Sequence, residues 1–287
     1  MSTVVVHGGC GNPRGSSVTD EDGYHGALRA AVEAADAGLH GGGAAIDAAQ
    51  KAVESLEDAP QFNAGRGSVL TADGAVEMDA ALMNGADRDA GAVAAVTTPR
   101  HAIALARAVM DTTPHLMLAG PGAERFAAAR GIERMAPDWF ITDRRREARW
   151  KARGTVGAVV LDDDGLLAAA TSTGGTTGQL SGRVGDSPLI GAGTWADERV
   201  AVSATGDGEQ IIRAAAAHRV AALVELGQLP LAEAAAQVVD SIQGEAGLIA
   251  VDGHGNVALP FNTRVMHRAV RLADGTVQTG AWSPEPA

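Results

Sequence analysis

The stretch that decides the fold is Gly154-Thr155-Val156-Gly157-Ala158-Val159-Val160. Its apolar run has the length of a buried β-strand and predicts a strand that holds Thr155 at its start. Glycine adopts backbone conformations that other residues avoid, so Gly154 permits a sharp bend before Thr155. A threonine hydroxyl at such a bend could attack the preceding peptide bond, although a Gly-Thr pair before an apolar run is usually only the start of a strand.

Cleavage of that bond would give Thr155 a second reactive group. The new chain terminus would carry an α-amine, whose reference pKa is about 7.7 to 8.0, so part of it is neutral at pH 7. A neutral amine on the same residue can accept the hydroxyl proton and act as its general base. Thr155 is therefore a candidate nucleophile, and the Gly154-Thr155 bond is a candidate cleavage site.

The composition excludes several classes of protein. The chain has 287 residues, a formal net charge of −12 and a single cysteine, Cys10. This charge disfavours nucleic acid or an anionic membrane as a partner. No apolar run reaches the ~18 residues of a membrane span, and the first residues do not form a signal peptide. One cysteine cannot form an internal disulfide, so we expect a reducing, cytoplasmic location.

Hydrophobic periodicity predicts strands and helices in both halves of the chain, packed as α and β layers. In the first half the predicted strands are 3–7, 68–71, 76–83 and 91–97, and the helices are 21–37, 44–57 and one beginning at Thr98-Pro99. In the second half the strands are 155–161, 166–173, 200–204, 247–251 and 256–260, and the helices are 209–226 and 231–243. Between the halves, residues 138–154 end in a strongly basic run, which predicts either an exposed helix turn or a solvated linker.

Four short polar clusters lie at the ends of predicted elements, where functional groups are commonly placed. They are Phe62-Asn63-Ala64-Gly65, Thr171-Ser172-Thr173-Gly174-Gly175, GRVGDSP at 182–188, and ATGDGE at 204–209. Together with His7-Gly8-Gly9, GTVG at 154–157 and PFNT at 260–263, they resemble the plant-type asparaginase and isoaspartyl peptidase family of N-terminal nucleophile hydrolases. The resemblance covers nearly the whole chain. Each motif is weak alone, but the ordered set is specific.

The resemblance implies an α+β fold, a four-layer αββα sandwich formed by a single domain over residues 1–287. It implies autocleavage into residues 1–154 and 155–287, with Thr155 as the nucleophile. The implied reaction is hydrolysis of L-asparagine or of β-aspartyl dipeptides to L-aspartate, with release of ammonia or an amino acid. No organic cofactor or catalytic metal is required, and we expect an (αβ)₂ assembly.

The resemblance also assigns roles near the nucleophile. Thr173 would hydrogen-bond to Thr155 and align it, and Asn63 would be a secondary polar contact. The Thr205 hydroxyl and the Gly206 N–H would stabilise a forming oxyanion. The simpler alternatives are a loop turn at Asn63 and a helix cap at Thr205-Gly206.

Two charged residues of the GRVGDSP segment would bind the substrate head group. Arg183 would pair with the α-carboxylate, since a guanidinium can form two parallel hydrogen bonds to a carboxylate. Asp186 would bind the α-ammonium. The simpler alternative is that Arg183 and Asp186 form a surface ion pair with each other, worth less than about 1 kcal/mol.

In the family that the chain resembles, a loop also holds a monovalent cation through backbone carbonyls. The matching positions for a Na⁺ ion are Leu56, Glu57, Ala59, Phe62, Ala64 and Arg66. A carbonyl ligand depends little on its side chain, so these residue identities add little evidence of their own. The family usually has alanine where this chain has Cys10, which we interpret as a small buried side chain.

Other functions fit the sequence less well. Gly191-Ala192-Gly193-Thr194-Trp195-Ala196 matches a dinucleotide-binding fingerprint, which is a weak signal by itself. A metal hydrolase would need clustered ligands, and the histidines show no such spacing. A glycosylasparaginase shares a GRVGDSP-like segment but usually has aspartate before its nucleophile, and a threonine aspartase is longer. A non-catalytic binding protein on the same fold is the alternative from a different class.

Overall fold

The computed structural model describes residues 2–11, 20–147 and 154–282. The first group of elements is β1 (Thr3–Gly11), α1 (Glu21–Leu39), α2 (Ala45–Asp58), β2 (Met78–Asn84), β3 (Ala90–Val96), α3 (Ala102–Thr112), β4 (Met117–Ala119), α4 (Gly120–Ala129), α5 (Pro137–Phe140) and α6 (Asp143–Glu147). The second is β5 (Val156–Leu161), β6 (Leu167–Thr173), β7 (Thr194–Ala196), β8 (Val200–Gly206), α7 (Gly208–Ala214), α8 (Ala216–Glu225), α9 (Leu231–Ser241), β9 (Ala246–Asp252), β10 (Val257–Ala258), β11 (Val265–Arg271) and β12 (Val277–Trp282).

The strands form two sheets that mix the two halves of the chain. An eight-stranded sheet has the order β12-β11-β1-β5-β6-β2-β3-β4, and a four-stranded sheet has the order β10-β9-β8-β7. In the larger sheet, β1 pairs with both β5 and β11, and β6 pairs with β2. Residues on both sides of the Gly154-Thr155 bond therefore contribute neighbouring strands to one sheet.

Strand β5 is buried on both faces, which explains its continuous apolar run. Val156, Ala158 and Val160 belong to the core cluster that α1, α2 and α3 form with the larger sheet. Val159 and Leu161 point the other way, into a cluster between the two sheets. Since successive side chains of a strand point to opposite faces, an alternating apolar-polar pattern would suit only one of these environments.

A third apolar cluster packs the smaller sheet against α8 and α9, with Val202, Val220 and Val238 fully buried. The mixed helix and sheet content confirms the predicted α+β class. Within the described residues, none of the helices is long and apolar enough to cross a membrane.

The predicted strand at 68–71 is wrong. Its backbone groups bond to a loop instead of a neighbouring strand. The Val69 N–H donates to Asn63 Oδ1 at 2.9 Å, and the Leu70 carbonyl accepts from the Gly178 N–H at 2.7 Å. A buried amide side chain thus replaces the partner strand.

Two predicted helices have different limits. The helix at 209–226 is two helices, α7 and α8, because Ala215 adopts a left-handed conformation with φ of 46°. The break directs the Ala217 N–H to the Ala192 carbonyl at 3.0 Å. The helix expected from Thr98-Pro99 begins at Ala102, and the Thr98 N–H and hydroxyl instead bond to Glu124.

The ends of the two halves also differ from the prediction. The predicted strand at 256–260 shortens to β10, and β11 and β12 were not predicted because polar residues interrupt their apolar pattern. Within the predicted linker, residues 143–147 form α6. Residues 148–153 lie outside the described residues.

Candidate active site

Thr155 lies directly before β5, an interior strand of the larger sheet, and is 5% exposed. The glycine before it has φ of 151°, a conformation that favours glycine. The irregular part of β1 around Gly9 packs closely against this pair, because a Cβ atom on Gly9 would lie 3.0 Å from Gly154 Cα and 3.2 Å from Thr155 N. Backbone therefore contacts backbone at the predicted cleavage site.

The Gly154 carbonyl accepts two buried hydrogen bonds. Asn63 Nδ2 donates to it at 2.8 Å, and Thr173 Oγ1 donates at 2.9 Å. Thr173 was expected to hydrogen-bond to Thr155. It bonds instead to the residue before it, Gly154. Two donors aimed at one carbonyl oxygen would stabilise the negative charge that develops there when a hydroxyl attacks the carbon.

Asn63 uses its whole side-chain amide in this region. Nδ2 also donates to the Gly175 carbonyl at 2.7 Å, and Oδ1 accepts from the Val69 N–H at 2.9 Å. The side chain is 2% exposed. The residue therefore joins the loop after α2, the segment after β6 and the predicted cleavage site, which is more than the loop turn that we considered as an alternative.

Arg183 already has a carboxylate partner. Its Nε and Nη2 atoms each lie 3.0 Å from Glu209, near the start of α7, and Nη1 lies 3.4 Å from Gln179 Oε1. One edge of the guanidinium is therefore occupied. Glu209 thereby fixes the orientation of the guanidinium.

Asp186 lies near this guanidinium but is buried, with only 4% exposure. The alternative of a mutual surface ion pair is therefore wrong: Arg183 pairs with Glu209. Burial raises the pKa of Asp186 to about 7, although Arg183 lowers it in part. Its Oδ2 atom has no hydrogen-bond partner among the described residues. A Cβ atom on Gly208 would lie 2.9 Å from both Asp186 Oδ1 and Arg183 Nη2, so glycine makes room for both.

Thr205 and Gly206 end β8, and α7 begins at Gly208 with Asp207 as its N-cap. The alternative that Thr205-Gly206 caps this helix is therefore wrong. Thr205 Oγ1 is buried and has no partner among the described residues. Behind it, the Cys10 thiol donates to the Thr205 carbonyl at 3.4 Å, and burial raises its pKa to about 12. Cys10 is thus a buried neighbour and not a reactive thiolate.

A polar contact between the two sheets brings the threonines to one end of their strands. Ser203 Oγ lies 2.8 Å from Thr171 Oγ1 and would lie 2.0 Å from a Cβ atom on Gly157. Each of the three candidate threonines is two residues away from one of these contacts: Thr205 and Thr173 follow Ser203 and Thr171, and Thr155 precedes Gly157. His7 Nε2 also contacts Ser203 Oγ, at 2.9 Å. Burial lowers the pKa of His7 to about 3, against the effect of a hydrogen bond to the Thr155 backbone, so His7 is neutral at pH 7.

The last residues of α2 and the loop after it carry the carbonyls that would hold a cation. The carbonyls of Leu56, Glu57 and Ala59 accept backbone hydrogen bonds from Ala59, Arg66 and Phe62 at 3.3, 2.7 and 3.2 Å. Each carbonyl has a second lone pair for a further bond. The Phe62 and Pro60 carbonyls would lie 2.6 and 2.7 Å from a Cβ atom on Gly67, so oxygens converge there. These neutral oxygens fit a hard cation. Within the described ranges, no group of three acidic, histidine or cysteine side chains could hold a metal.

The glycine-rich segment at 191–196 leads into β7, which pairs with β8. A dinucleotide fingerprint would place a helix after its glycines. That alternative is therefore wrong.

Sequence reasoning missed Glu209 as the partner of Arg183 and did not consider Asp79. Asp79 is 2% exposed, and its carboxylate accepts from the Gly185 N–H, within the GRVGDSP segment. A signal was present, since a buried aspartate in the apolar run Met78-Asp79-Ala80-Ala81-Leu82 requires a partner.

The arrangement places Thr155 at a strand end, next to a carbonyl that accepts two buried hydrogen bonds. A family profile described as Asparaginase matches residues 1–153 and 146–281. The chain belongs to this asparaginase family.

Relatives with assigned names match over almost the whole chain. An isoaspartyl peptidase of Escherichia coli is 47% identical over 98% of this chain and 96% of its own length. An isoaspartyl peptidase/L-asparaginase of Bos taurus is 43% identical over 96% and 95%, and one of Danio rerio is 40% identical over 93% and 91%. The family resemblance deduced from the motifs is thereby confirmed.

Proposed function

We propose that this protein is an amidohydrolase that releases L-aspartate from L-asparagine and from β-aspartyl dipeptides, with ammonia or an amino acid as the other product. The observation that carries the proposal is the buried Asp186 carboxylate beside the Arg183 guanidinium, with one carboxylate oxygen unpartnered among the described residues. A buried carboxylate beside a guanidinium provides the two opposite charges that suit an ammonium and a carboxylate on one carbon. Both substrates carry this head group, and the names of the relatives include both activities.

The enzyme would first activate itself by cleavage. The Thr155 hydroxyl attacks the Gly154 carbonyl carbon, and Asn63 and Thr173 donate to the oxygen as it becomes negative. The C–N bond breaks, the nitrogen gains a proton, and an ester links Gly154 to the Thr155 side chain. Water hydrolyses this ester, which leaves a Gly154 carboxylate and a free Thr155 amine and hydroxyl.

Substrate turnover would repeat this chemistry on an external amide. The Thr155 amine takes the hydroxyl proton, and the oxygen attacks the side-chain carbonyl of the substrate. The Thr205 hydroxyl and the Gly206 N–H donate to the oxyanion, each worth about 2.7–4 kcal/mol in the transition state. The leaving nitrogen receives the proton, and water then releases L-aspartate from the acyl-enzyme.

The close alternative is a glycosylasparaginase. Two features favour the asparaginase and isoaspartyl branch: glycine stands before Thr155, and Gly174-Gly175 follows Thr173. A Cβ atom on Gly174 would lie 2.5 Å from Ser68 Cβ, so the loop at this position has no room for a side chain. A non-catalytic protein on the same fold would bind the head group but release no aspartate.

Four further features complete the proposal. The three apolar clusters support a four-layer αββα sandwich. The larger sheet contains strands from both halves of the chain, which supports two fragments that stay together after cleavage. The assembly would be an (αβ)₂ particle of about twice the 29.0 kDa chain mass. The loop carbonyls would hold a Na⁺ ion that supports the structure, with no role in the chemical steps. The single buried cysteine supports a cytoplasmic location.

The test combines a mass measurement with a product assay. Denatured wild-type protein should give two fragments, divided between Gly154 and Thr155, while Thr155→Ala should give one intact chain. Purified wild-type protein should release aspartate from L-asparagine and from a β-aspartyl dipeptide, and Thr155→Ala should not. Turnover by an intact chain would contradict the cleavage step, and a cleaved protein inactive on both substrates would contradict the proposed activity.

A further inference from the structure

We propose that Asp79, assisted by Glu77, is a positioning residue that holds the Arg183 loop in the geometry needed to bind the substrate head group. The inference rests on the proposed function. It extends that function to residues on β2 and just before it, which do not contact the substrate.

Two carboxylates accept hydrogen bonds from backbone N–H groups on either side of Arg183. Glu77 Oε2 accepts from the Gly182 N–H at 2.7 Å, and Asp79 Oδ2 accepts from the Gly185 N–H at 3.1 Å. These two amides are one residue before and two residues after Arg183. The loop that presents the guanidinium is therefore fixed at two points to one short segment of the larger sheet.

An irregularity in the sheet aims Asp79 at this loop. The register between β2 and β3 shifts between Met78 and Ala80, and on β3 Ala95 adopts a left-handed conformation with φ of 51°. The Ala95 N–H donates to Asp79 Oδ1 at 2.9 Å instead of entering the regular ladder. Bulges of this kind redirect side chains and are common beside active sites.

The Asp79 carboxylate thus has both oxygens engaged, one on the bulge and one on the loop. It is 2% exposed, and burial raises its pKa to about 6, with the two backbone hydrogen bonds and Arg183 acting against that rise. At pH 8 it is therefore charged. A hydrogen bond to a charged group is roughly twice as strong as a neutral one. The Asp79 contact is also buried, whereas the Glu77 contact is exposed to solvent, so Asp79 is the stronger determinant of the loop geometry.

Asp79 also has a second route of influence, through its neighbour Thr173 to the predicted cleavage site. The two routes predict different kinetic effects. Asp79 pairs with Thr173 across β2 and β6, and Thr173 bonds to the Gly154 carbonyl. If Asp79 acted through Thr173, its loss would impair cleavage and kcat. If it acts through the loop, its loss impairs KM.

The experiment compares Asp79→Asn and Glu77→Gln with a matched control at pH 8. The control is Asp89→Asn, since Asp89 also accepts a backbone N–H, from Ala90 at 2.9 Å, but in the turn at the far end of the same hairpin. For each variant we would measure self-cleavage, kcat and KM with L-asparagine, and hydrogen exchange of the 181–187 backbone by mass spectrometry.

Asp79→Asn should raise KM about 10- to 100-fold. The asparagine amide is uncharged and has a single acceptor oxygen, so it cannot replace both hydrogen bonds of the carboxylate. The variant should leave kcat within about threefold and cleavage complete, and should speed exchange in 181–187. Glu77→Gln should raise KM about two- to fivefold, since its contact is exposed. Asp89→Asn should match wild type.

An unchanged KM in Asp79→Asn, or a loss of cleavage and kcat at constant KM, would overturn the proposal. If Asp79→Asn does not fold, Glu77→Gln becomes the test. A wild-type KM in that variant would then contradict the proposal that these carboxylates position the Arg183 loop. If wild-type protein hydrolyses neither substrate, the proposed function fails. Exchange in 181–187 then still decides the role of Asp79, because faster exchange supports it and unchanged exchange refutes it.

Discussion

The nucleophile side and the head-group side of the candidate site differ in how their polar groups are satisfied. Around the Gly154 carbonyl, the donors and acceptors of Asn63 and Thr173 are bonded within the chain. On the head-group side, Asp186 Oδ2 is buried without a partner among the described residues, and so is Oγ1 of Thr205, the proposed oxyanion donor. An unsatisfied buried polar group costs about 1–3 kcal/mol.

This contrast fits the two proposed reactions, which have different requirements. The proposed self-cleavage is intramolecular, so its donors would be in place before any ligand arrives. In the proposed substrate complex, the substrate would supply the missing hydrogen-bond partners. The loop that carries Arg183 and Asp186 would hold these two side chains in place before the substrate binds. We therefore expect variants on the first side to change cleavage, and variants on the second to change substrate affinity.

The largest expected effect is on cleavage. Asn63→Asp keeps the acceptor for the Val69 N–H but replaces the donor to the Gly154 carbonyl with a carboxylate oxygen. Loss of one oxyanion donor should slow cleavage about 10²- to 10³-fold, measured by fragment formation over time. Asn84→Asp is the control, because Asn84 Oδ1 accepts the Ala86 N–H in an exposed turn. Cleavage of Asn63→Asp at the wild-type rate would remove the distinction between the two sides.

A smaller effect should fall on the other side alone. Arg183→Lys keeps the charge, but an ammonium cannot bond to Glu209 through two parallel contacts and still present a planar edge to substrate. We expect KM for L-asparagine to rise about 10- to 100-fold, with self-cleavage complete. Arg88→Lys serves as control, since Arg88 pairs with Glu198 on the surface at 3.1 Å. Slow cleavage in Arg183→Lys would show that the two sides are not separable.

The pH dependence of ligand binding sharpens the comparison. Asp186 has a pKa raised by burial to about 7, so it loses its negative charge as the pH falls below that value. The dissociation constant of L-aspartate, measured by calorimetry, should rise by up to about tenfold per pH unit below 7. Asp186→Asn should bind weakly with much less pH dependence. Constant affinity of the wild type between pH 8 and 5.5 would contradict the role of Asp186.

The smallest effect concerns stability beneath the nucleophile side. Glu57 is fully buried, accepts from Ser172 Oγ at 2.6 Å, and burial raises its pKa from 4.5 to about 8. Between those values the folded protein binds a proton that the unfolded chain releases, so the free energy of unfolding falls as the pH rises through this window. Glu57→Gln lacks this loss and should be about 1–3 kcal/mol more stable, relative to wild type, at pH 8 than at pH 5. Denaturant unfolding at both pH values would test this, and an equal difference at both would contradict it.

Elements with strong local patterns could be predicted from the sequence. The apolar run of β5, the helical spacing of α1 and α2 and the motif clusters all depend on neighbouring residues. The β11–β12 pair was missed, because polar residues interrupt the apolar pattern of both strands at the end of the sheet.

The sequence by itself determined the α+β class, the candidate nucleophile Thr155 and the residue types of the head-group pair, because short-range periodicity and motif order carry this information. The tertiary structure decided which groups meet. It placed Asn63 on the Gly154 carbonyl, 91 residues away, and Glu209 on Arg183, 26 residues away. It also placed Asp79 on the Gly185 N–H, 106 residues away. Such contacts depend on strand register and on a bulge, which arise only when distant segments pack together and buried polar groups must find partners.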